Sequence, residues 1–168
     1  MRSGLIPVAE GARVRTLFQK LSGSITRDGL WLKSTEAEGG QLHLVASAIG
    51  ETKLPSRGTV AIRGNIVSFR RPGLTEEYSV SVDGVRQNFV IPDHPGHAGK
   101  LIVALELSGA KAETATYGAR LTLDGSGRLL AYSRLRVTDA TGRELSARME
   151  ILSANRLAVR SMLSVLMD

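Results

Sequence analysis

The chain has no cysteine, which excludes disulfide bonds and thiolate metal sites. Only 4% of its residues are aromatic, so a hydrophobic core has to be built from leucine, valine, isoleucine and alanine. No apolar run reaches the roughly 18 residues that a membrane-spanning helix needs, and residues 1–10 contain too short an apolar run for a signal peptide. Five prolines against 18 glycines indicate tight turns between short elements.

The length and charge of the chain limit the classes of partner. Its 168 residues suit one domain, large enough to bury a core without a disulfide or a metal. The net charge of +6 at pH 7 would suit nucleic acid or another anionic partner. Arginines are spaced singly, as at Arg134 and Arg136, and aromatic residues do not alternate with them, which argues against nucleic acid. Binding of an anionic polymer through arginine-rich strand faces is the third of three functional hypotheses.

Alternating apolar residues predict strands throughout the C-terminal half. The runs cover residues 101–107, 119–123, 128–138, 143–152 and 156–159. Turn residues separate them at Asp124–Gly127 and Asp139–Gly142, where Asp and Gly favour the backbone angles of hairpin turns. Within the run 128–138, Leu129 and Tyr132 fall on opposite faces. The last four runs are therefore predicted to form an antiparallel meander.

The middle of the chain contains the strongest hairpin signal, an Asp83-Gly84 step between the alternating runs 78–82 and 85–91. Residues 11–21 have the apolar spacing of a short helix. Looser alternation predicts further strands at residues 30–32, 42–49, 60–62 and 66–69. The predicted fold class is all-β, an antiparallel β-sandwich with an open barrel as the alternative. We expect an N-terminal extension with the short helix (1–28), a single antiparallel β domain (29–160) and an atypical C-terminal tail (161–168).

Three segments carry a resemblance that covers most of the chain. They are Tyr78–Val90 (YSVSVDGVRQNFV), Gly118–Gly127 (GARLTLDGSG) and Leu130–Leu145 (LAYSRLRVTDATGREL). The chain resembles an uncharacterised N-terminal β module of large secreted bacterial proteins, where propeller-type or Ig-like repeats follow it. The resemblance implies a secreted or cell-surface location, a non-catalytic role in adhesion or assembly, and a protein or cell-surface partner. Residues 161–168 depart from the pattern and look like a truncated end.

One loop holds the principal candidates for catalysis. Asp93, His94 and His97 stand together directly after the central hairpin. Two imidazoles and a carboxylate can hold a divalent ion such as zinc that activates water, or Asp93 can orient an imidazole that acts as a general base. The second functional hypothesis is therefore a small metal-assisted hydrolase of esters or lactones. The alternative is a polar loop shaped by its prolines and glycine, since the spacing lacks the His-Glu-x-x-His motif of zinc proteases.

Two further sets of residues complete the candidate sites. Asp139, Thr141 and Glu144 offer oxygen ligands to calcium, although turn formation alone also explains them. His43 would add a third ligand to the histidine loop only if its strand lies beside that loop, and a solvent-facing position is the alternative. Trp31 and Tyr132 are assigned to packing within the core or on a sheet surface. A divalent metal, zinc or calcium, is the one cofactor class that these residues suggest.

Overall fold

The chain folds into β-strands joined by short turns. The computed structural model describes residues 4–8, 11–16, 20–81, 84–91, 100–133, 137–138 and 144–162. Within these ranges there are eighteen strands and no helix. The strands are β1 (Gly4–Val8), β2 (Gly11–Thr16), β3 (Leu21–Thr26), β4 (Gly29–Ser34), β5 (Gln41–Ile49), β6 (Thr52–Lys53), β7 (Thr59–Arg63), β8 (Ile66–Arg71), β9 (Leu74–Ser81), β10 (Gly84–Val90), β11 (Lys100–Ser108), β12 (Ala110–Ala115), β13 (Gly118–Leu123), β14 (Leu129–Ser133), β15 (Val137–Thr138), β16 (Glu144–Leu145), β17 (Ala147–Ser153) and β18 (Arg156–Met162).

These strands form one long sheet, two smaller sheets and a ribbon. The long sheet has the order β1-β2-β3-β4-β5-β11-β18-β17, and β6 pairs with β5. The second sheet has the order β10-β9-β8-β7, the third sheet is β12-β13-β14, and the ribbon is β15-β16. The paired strands run antiparallel, and none of the described sheets closes on itself.

One face of the long sheet is covered by both smaller sheets. The paired residues Leu30 and Leu44 are buried on this face. A first hydrophobic cluster joins the long sheet to the third sheet, where Leu121 is buried, and a second cluster joins it to Phe69 and Tyr78 of the second sheet. Apolar side chains from two layers thus share one interior, as in a sandwich. The prediction of an antiparallel β-sandwich is confirmed.

The predicted hairpins that lie in the described ranges are present. Strands β9 and β10 pair from Ser81 opposite Gly84, so the loop consists of residues 82–83, which lie outside the described residues. The turn at residues 124–127 joins β13 to β14, with Thr122 opposite Leu129. Gly125 and Gly127 in this turn have positive φ angles of 85° and 73°, which glycine adopts without steric cost. The upstream strands are also present, as β4, β5, β7 and β8.

The predicted helix at residues 11–21 is wrong. Residues 11–16 form β2, which pairs with β1 on one side and β3 on the other, and β3 begins at Leu21. Ala12 is fully buried opposite Ile25, whereas Arg13 is exposed, so the segment has the period of a strand. Two neighbouring strands satisfy the backbone of this segment, and a helix this short gains little stability by itself. Strands β1, β2 and β3 therefore extend the long sheet.

The predicted C-terminal meander is divided between sheets, although its consecutive runs pair antiparallel as β13–β14, β15–β16 and β17–β18. Strands β13 and β14 belong to the third sheet, whereas β17 and β18 lie in the long sheet, where β18 pairs with β11. Within β14, Tyr132 packs against the first cluster and Leu129 is 57% exposed. Alternation shows which residues share a face of a strand, but it does not show which sheet will cover that face. Strand β18 continues to Met162 and so includes the first two residues of the predicted tail.

A one-residue connection between the long and third sheets provides a test of this packing. Gly109 joins β11 to β12 with φ of +76°, and a Cβ atom there would lie 2.0 Å from the carbonyl oxygen of Gln41. Gly125 has a similar φ of +85° but has open space around it. We expect Gly125→Ala to lower the free energy of unfolding by about 1–2 kcal/mol through backbone strain. Gly109→Ala should lose about 1–3 kcal/mol more through overpacking.

Urea unfolding followed by circular dichroism measures both losses. Equal losses in the two variants would show that the close approach of Gly109 to β5 is absent.

Candidate functional site

The residues proposed for metal binding fall mostly outside the described ranges. Asp93, His94 and His97 lie between Val90, which ends β10, and Lys100, which begins β11, and they are outside the described residues. Asp139 and Thr141 are also outside them, whereas Glu144 is exposed at the start of β16. The described residues contain no group of three His, Cys, Asp or Glu side chains that could hold a metal ion. Both metal sites stay predictions.

His43 lies on the outer face of the long sheet. Its neighbours Leu42 and Leu44 are buried on the inner face. The imidazole stacks on the ring of Trp31, with the ring centroids 4.2 Å apart and the planes 25° apart. Its Nε2 donates to the carbonyl oxygen of Asp28 at 2.6 Å, which assigns the proton to that nitrogen. His43 is thus part of a surface pair with Trp31 on the strand beside it.

Charged side chains also occupy positions in the core. On β8, Arg71 shares the inner face with Val67 and Phe69, and on β9, Glu76 shares it with Leu74 and Tyr78. The side chains of Arg71 and Glu76 are 1% and 0% exposed. Ions that are this deeply buried need close partners to offset the loss of hydration.

The Glu76 carboxylate accepts hydrogen bonds at both oxygens. Oε2 accepts from Arg71 Nη2 at 2.6 Å and, at the longer distance of 3.4 Å, from the backbone N–H of Ala46. Oε1 accepts from the hydroxyl of Tyr78 at 2.7 Å and from Nε2 of Gln87 at 2.8 Å. Donors on four strands, β5, β8, β9 and β10, therefore hold the carboxylate in one orientation.

The Arg71 guanidinium is held by backbone oxygens as well as by Glu76. Nη1 donates to the carbonyl oxygen of Ala46 at 2.6 Å and to that of Pro55 at 3.0 Å. The carbon Cζ lies 4.7 Å from the centre of the Phe69 ring, a distance that allows a cation–π interaction. Nε is buried with no hydrogen-bond partner among the described residues.

Gln87 extends this network to the third sheet. Its Oε1 accepts from the hydroxyl of Tyr132 at 2.5 Å, and its Nε2 lies 3.1 Å from the Tyr78 hydroxyl. Ala46 lies in the long sheet, Gln87 in the second and Tyr132 in the third. We name the five side chains of Arg71, Glu76, Tyr78, Gln87 and Tyr132 the buried network. It connects all three sheets.

Burial shifts the pKa values of the ionisable groups in the buried network. It raises the pKa of Glu76 against the opposing effect of the Tyr78 hydrogen bond and of Arg71, and it lowers the pKa of Arg71. Burial together with the nearby Glu76 raises the pKa values of Tyr78 and Tyr132. Such shifts are common in active sites, but here the carboxylate is enclosed and bonded to protein groups at both oxygens. The network joins the sheets, and its carboxylate has no contact with solvent.

The residues of the buried network were not among the predicted site residues. The signal in the sequence is the alternation itself, which puts Arg71 on the same face of a strand as Phe69, and Glu76 on the same face as Tyr78. Polar residues at such positions indicate buried partners. Tyr132 was assigned to packing and contributes a hydrogen bond besides.

Comparisons of this chain with protein-family models, with curated proteins and with solved structures gave no match. Over the described ranges, no helix is long and apolar enough to cross a membrane. The chemistry of the molecule therefore has to be judged from its own residues.

The coupling between Arg71 and Glu76 can be measured by a double-mutant cycle. Arg71→Met and Glu76→Gln should each lower the free energy of unfolding by about 3–5 kcal/mol, because each leaves a buried partner uncompensated. The double variant should lose much less than the sum of the two. The exposed cross-strand pair Glu113 and Arg120 is the control, and its cycle should show little coupling. Additive losses at Arg71 and Glu76 would contradict the network.

The raised pKa values of the tyrosines predict a loss of stability at alkaline pH. Because the folded state holds the Tyr78 and Tyr132 protons more tightly than the unfolded state, their contribution is complete below the unfolded pKa of about 10 and is lost as the pH rises through the folded pKa. In Tyr132→Phe the free energy of unfolding should fall less steeply above about pH 10 than in the parent. Urea unfolding across this pH range measures the slopes, and parallel curves would refute the expectation.

Proposed function

We propose that the chain is a non-catalytic β-sandwich module of a secreted or cell-surface bacterial protein and that it acts in adhesion or assembly. The observation that carries the proposal is the enclosure of the buried network. Arg71, Glu76 and Tyr78 bond to one another within the second sheet. Bonds to the Ala46 backbone and, through Gln87, to Tyr132 link them to the other two sheets, so they serve the architecture. The resemblance of residues 78–90, 118–127 and 130–145 to secreted repeat-containing proteins supports the location and the role.

The ends of the long sheet support a role in assembly. In the described part of the chain, β1 and β17 are its terminal strands, and each pairs with one neighbour. Ile6 on β1 is 56% exposed and Leu152 on β17 is 45% exposed. Edge strands with free backbone groups and exposed apolar side chains accept further strands from partner proteins. The proposed partner is accordingly a protein or another cell-surface component.

A binding assay run beside a hydrolase panel tests the proposal. The labelled chain should sediment with washed bacterial cell walls in a saturable manner. It should not turn over chromogenic esters or lactones, with or without EDTA and with or without added zinc or calcium. His94→Ala with His97→Ala should leave the sedimentation unchanged, because the proposed role does not use the histidine loop.

Two results would overturn the proposal. One is ester or lactone turnover that chelation and the two histidine substitutions abolish, which would establish the metal-assisted hydrolase with Asp93, His94 and His97 as its site. The other is the absence of saturable sedimentation.

A further inference from the structure

The outer face of the long sheet has a row of polar and aromatic residues around the stacked pair. Their strand neighbours are buried on the inner face, so the row points outward. With a strand spacing of about 4.8 Å, the row is about 19 Å long. The register aligns Arg13 of β2, Ser24 of β3, Trp31 of β4, His43 of β5 and Ser108 of β11.

The centre of the row is a fixed aromatic surface. Trp31 and His43 stack at 4.2 Å, and the hydrogen bond from His43 Nε2 to the Asp28 carbonyl oxygen holds the imidazole in place. Gly29, with φ of +107°, lies beside the pair, and a Cβ atom there would lie 3.0 Å from Val45 and at an ordinary contact distance of 3.6 Å from His43. A ligand that stacks on the indole therefore meets a surface that is already ordered.

Basic and hydrogen-bonding side chains surround the aromatic pair. Arg13 and Lys33 are exposed on the same face, with Lys33 two residues along β4 from Trp31. Gln41 lies opposite Lys33, and Ser24 lies opposite Trp31. Among the described residues, the outward positions of β2 to β5 carry no Asp or Glu, and the exposed Glu106 of β11 lies opposite Val45, at the edge of this block. The chemistry of this block, which we name the Trp31 face, is complementary to an anion with hydroxyl groups.

We infer that the Trp31 face binds an acidic polysaccharide, an inference that rests on the proposed adhesive function and names its ligand. The C–H face of a sugar ring packs on the electron-rich face of an indole. Hydroxyl groups of the sugar bond to Ser24 and Gln41, whose side chains both donate and accept. Carboxylate or sulfate groups along the polymer pair with Arg13 and Lys33. A single stacked pair favours this ligand over single-stranded nucleic acid, whose successive bases need successive aromatic side chains.

Trp31 is the single tryptophan of the chain, so intrinsic fluorescence reports on this face directly. The full chain is titrated with polygalacturonate, with heparin, with neutral dextran and with polyuridylate. We expect a saturable change in emission with the two acidic polysaccharides and none with dextran. Raising the salt concentration from about 50 mM to about 500 mM should weaken binding at least tenfold, because ion release drives the association.

Matched variants locate the site. Arg13→Gln and Lys33→Gln should each weaken polygalacturonate binding about fivefold, the effect of one cation near an anionic surface. Lys111→Gln removes an exposed cation from the third sheet and should leave binding unchanged. His43→Gln keeps the fluorophore, removes the stacked ring and should also weaken binding. Three results would each overturn the inference. They are equal effects of Arg13→Gln and Lys111→Gln, no emission change with either polysaccharide, and tighter binding of polyuridylate than of the polysaccharides.

The cell-wall assay separates the two proposals. The acidic-polysaccharide site would be overturned if polygalacturonate did not compete with the cell walls for the chain and Arg13→Gln did not reduce sedimentation. The adhesive role would then stand. Turnover that depends on His94 and His97 would overturn the adhesive role instead.

Discussion

The Glu76 carboxylate is the constraint around which the three sheets are arranged. A carboxylate without solvent contact is stable only where donors surround it, and here the donors are Arg71, Tyr78 and Gln87, each from a position set by strand register. A shift of one residue in β8 or β10 would turn Arg71 or Gln87 to the opposite face and leave the ion alone. Apolar side chains tolerate small displacements, whereas this ion pair with its fixed distances does not. We therefore expect the buried network to contribute to the alignment of the sheets.

The same residues lie where the two hydrophobic clusters meet. Leu74 belongs to the first cluster, and Phe69 and Tyr78 belong to the second. Glu76 stands on β9 between Leu74 and Tyr78, so the border between the clusters is polar on this strand, whereas Leu32 packs against both clusters. The hydroxyl of Tyr132, in the third sheet, donates a hydrogen bond to Gln87 of the second sheet at this border. The two apolar regions of the sandwich are thus joined by hydrogen bonds as well as by apolar contact.

Local features of this fold were predictable from the sequence, and distant pairings were not. The hairpin at residues 124–127 follows from turn residues between alternating runs, since both strands lie next to the turn. The pairing of β11 with β5 and β18 has no comparable signal in the sequence, because the alternation of apolar residues is the same whichever strand becomes the partner. The apolar spacing at residues 11–16 is compatible with a helix or a strand, and the segment is a strand because it pairs with β1 and β3. Arg71 and Glu76 could have been found as polar residues on apolar strand faces, but the partners from other sheets could not.

The sequence separations within the buried network bear on the order in which the molecule assembles. Arg71 and Glu76 are 5 residues apart across one turn, so they can meet while the second sheet is still an isolated set of hairpins in water. Ala46 lies 25 residues from Arg71, and Tyr132 lies 45 residues from Gln87, and contacts across longer loops form more slowly. We expect the ion pair to stay hydrated until the long and third sheets close over it. Loss of its water would then be a late event in folding, the point at which the three sheets become one cooperative unit.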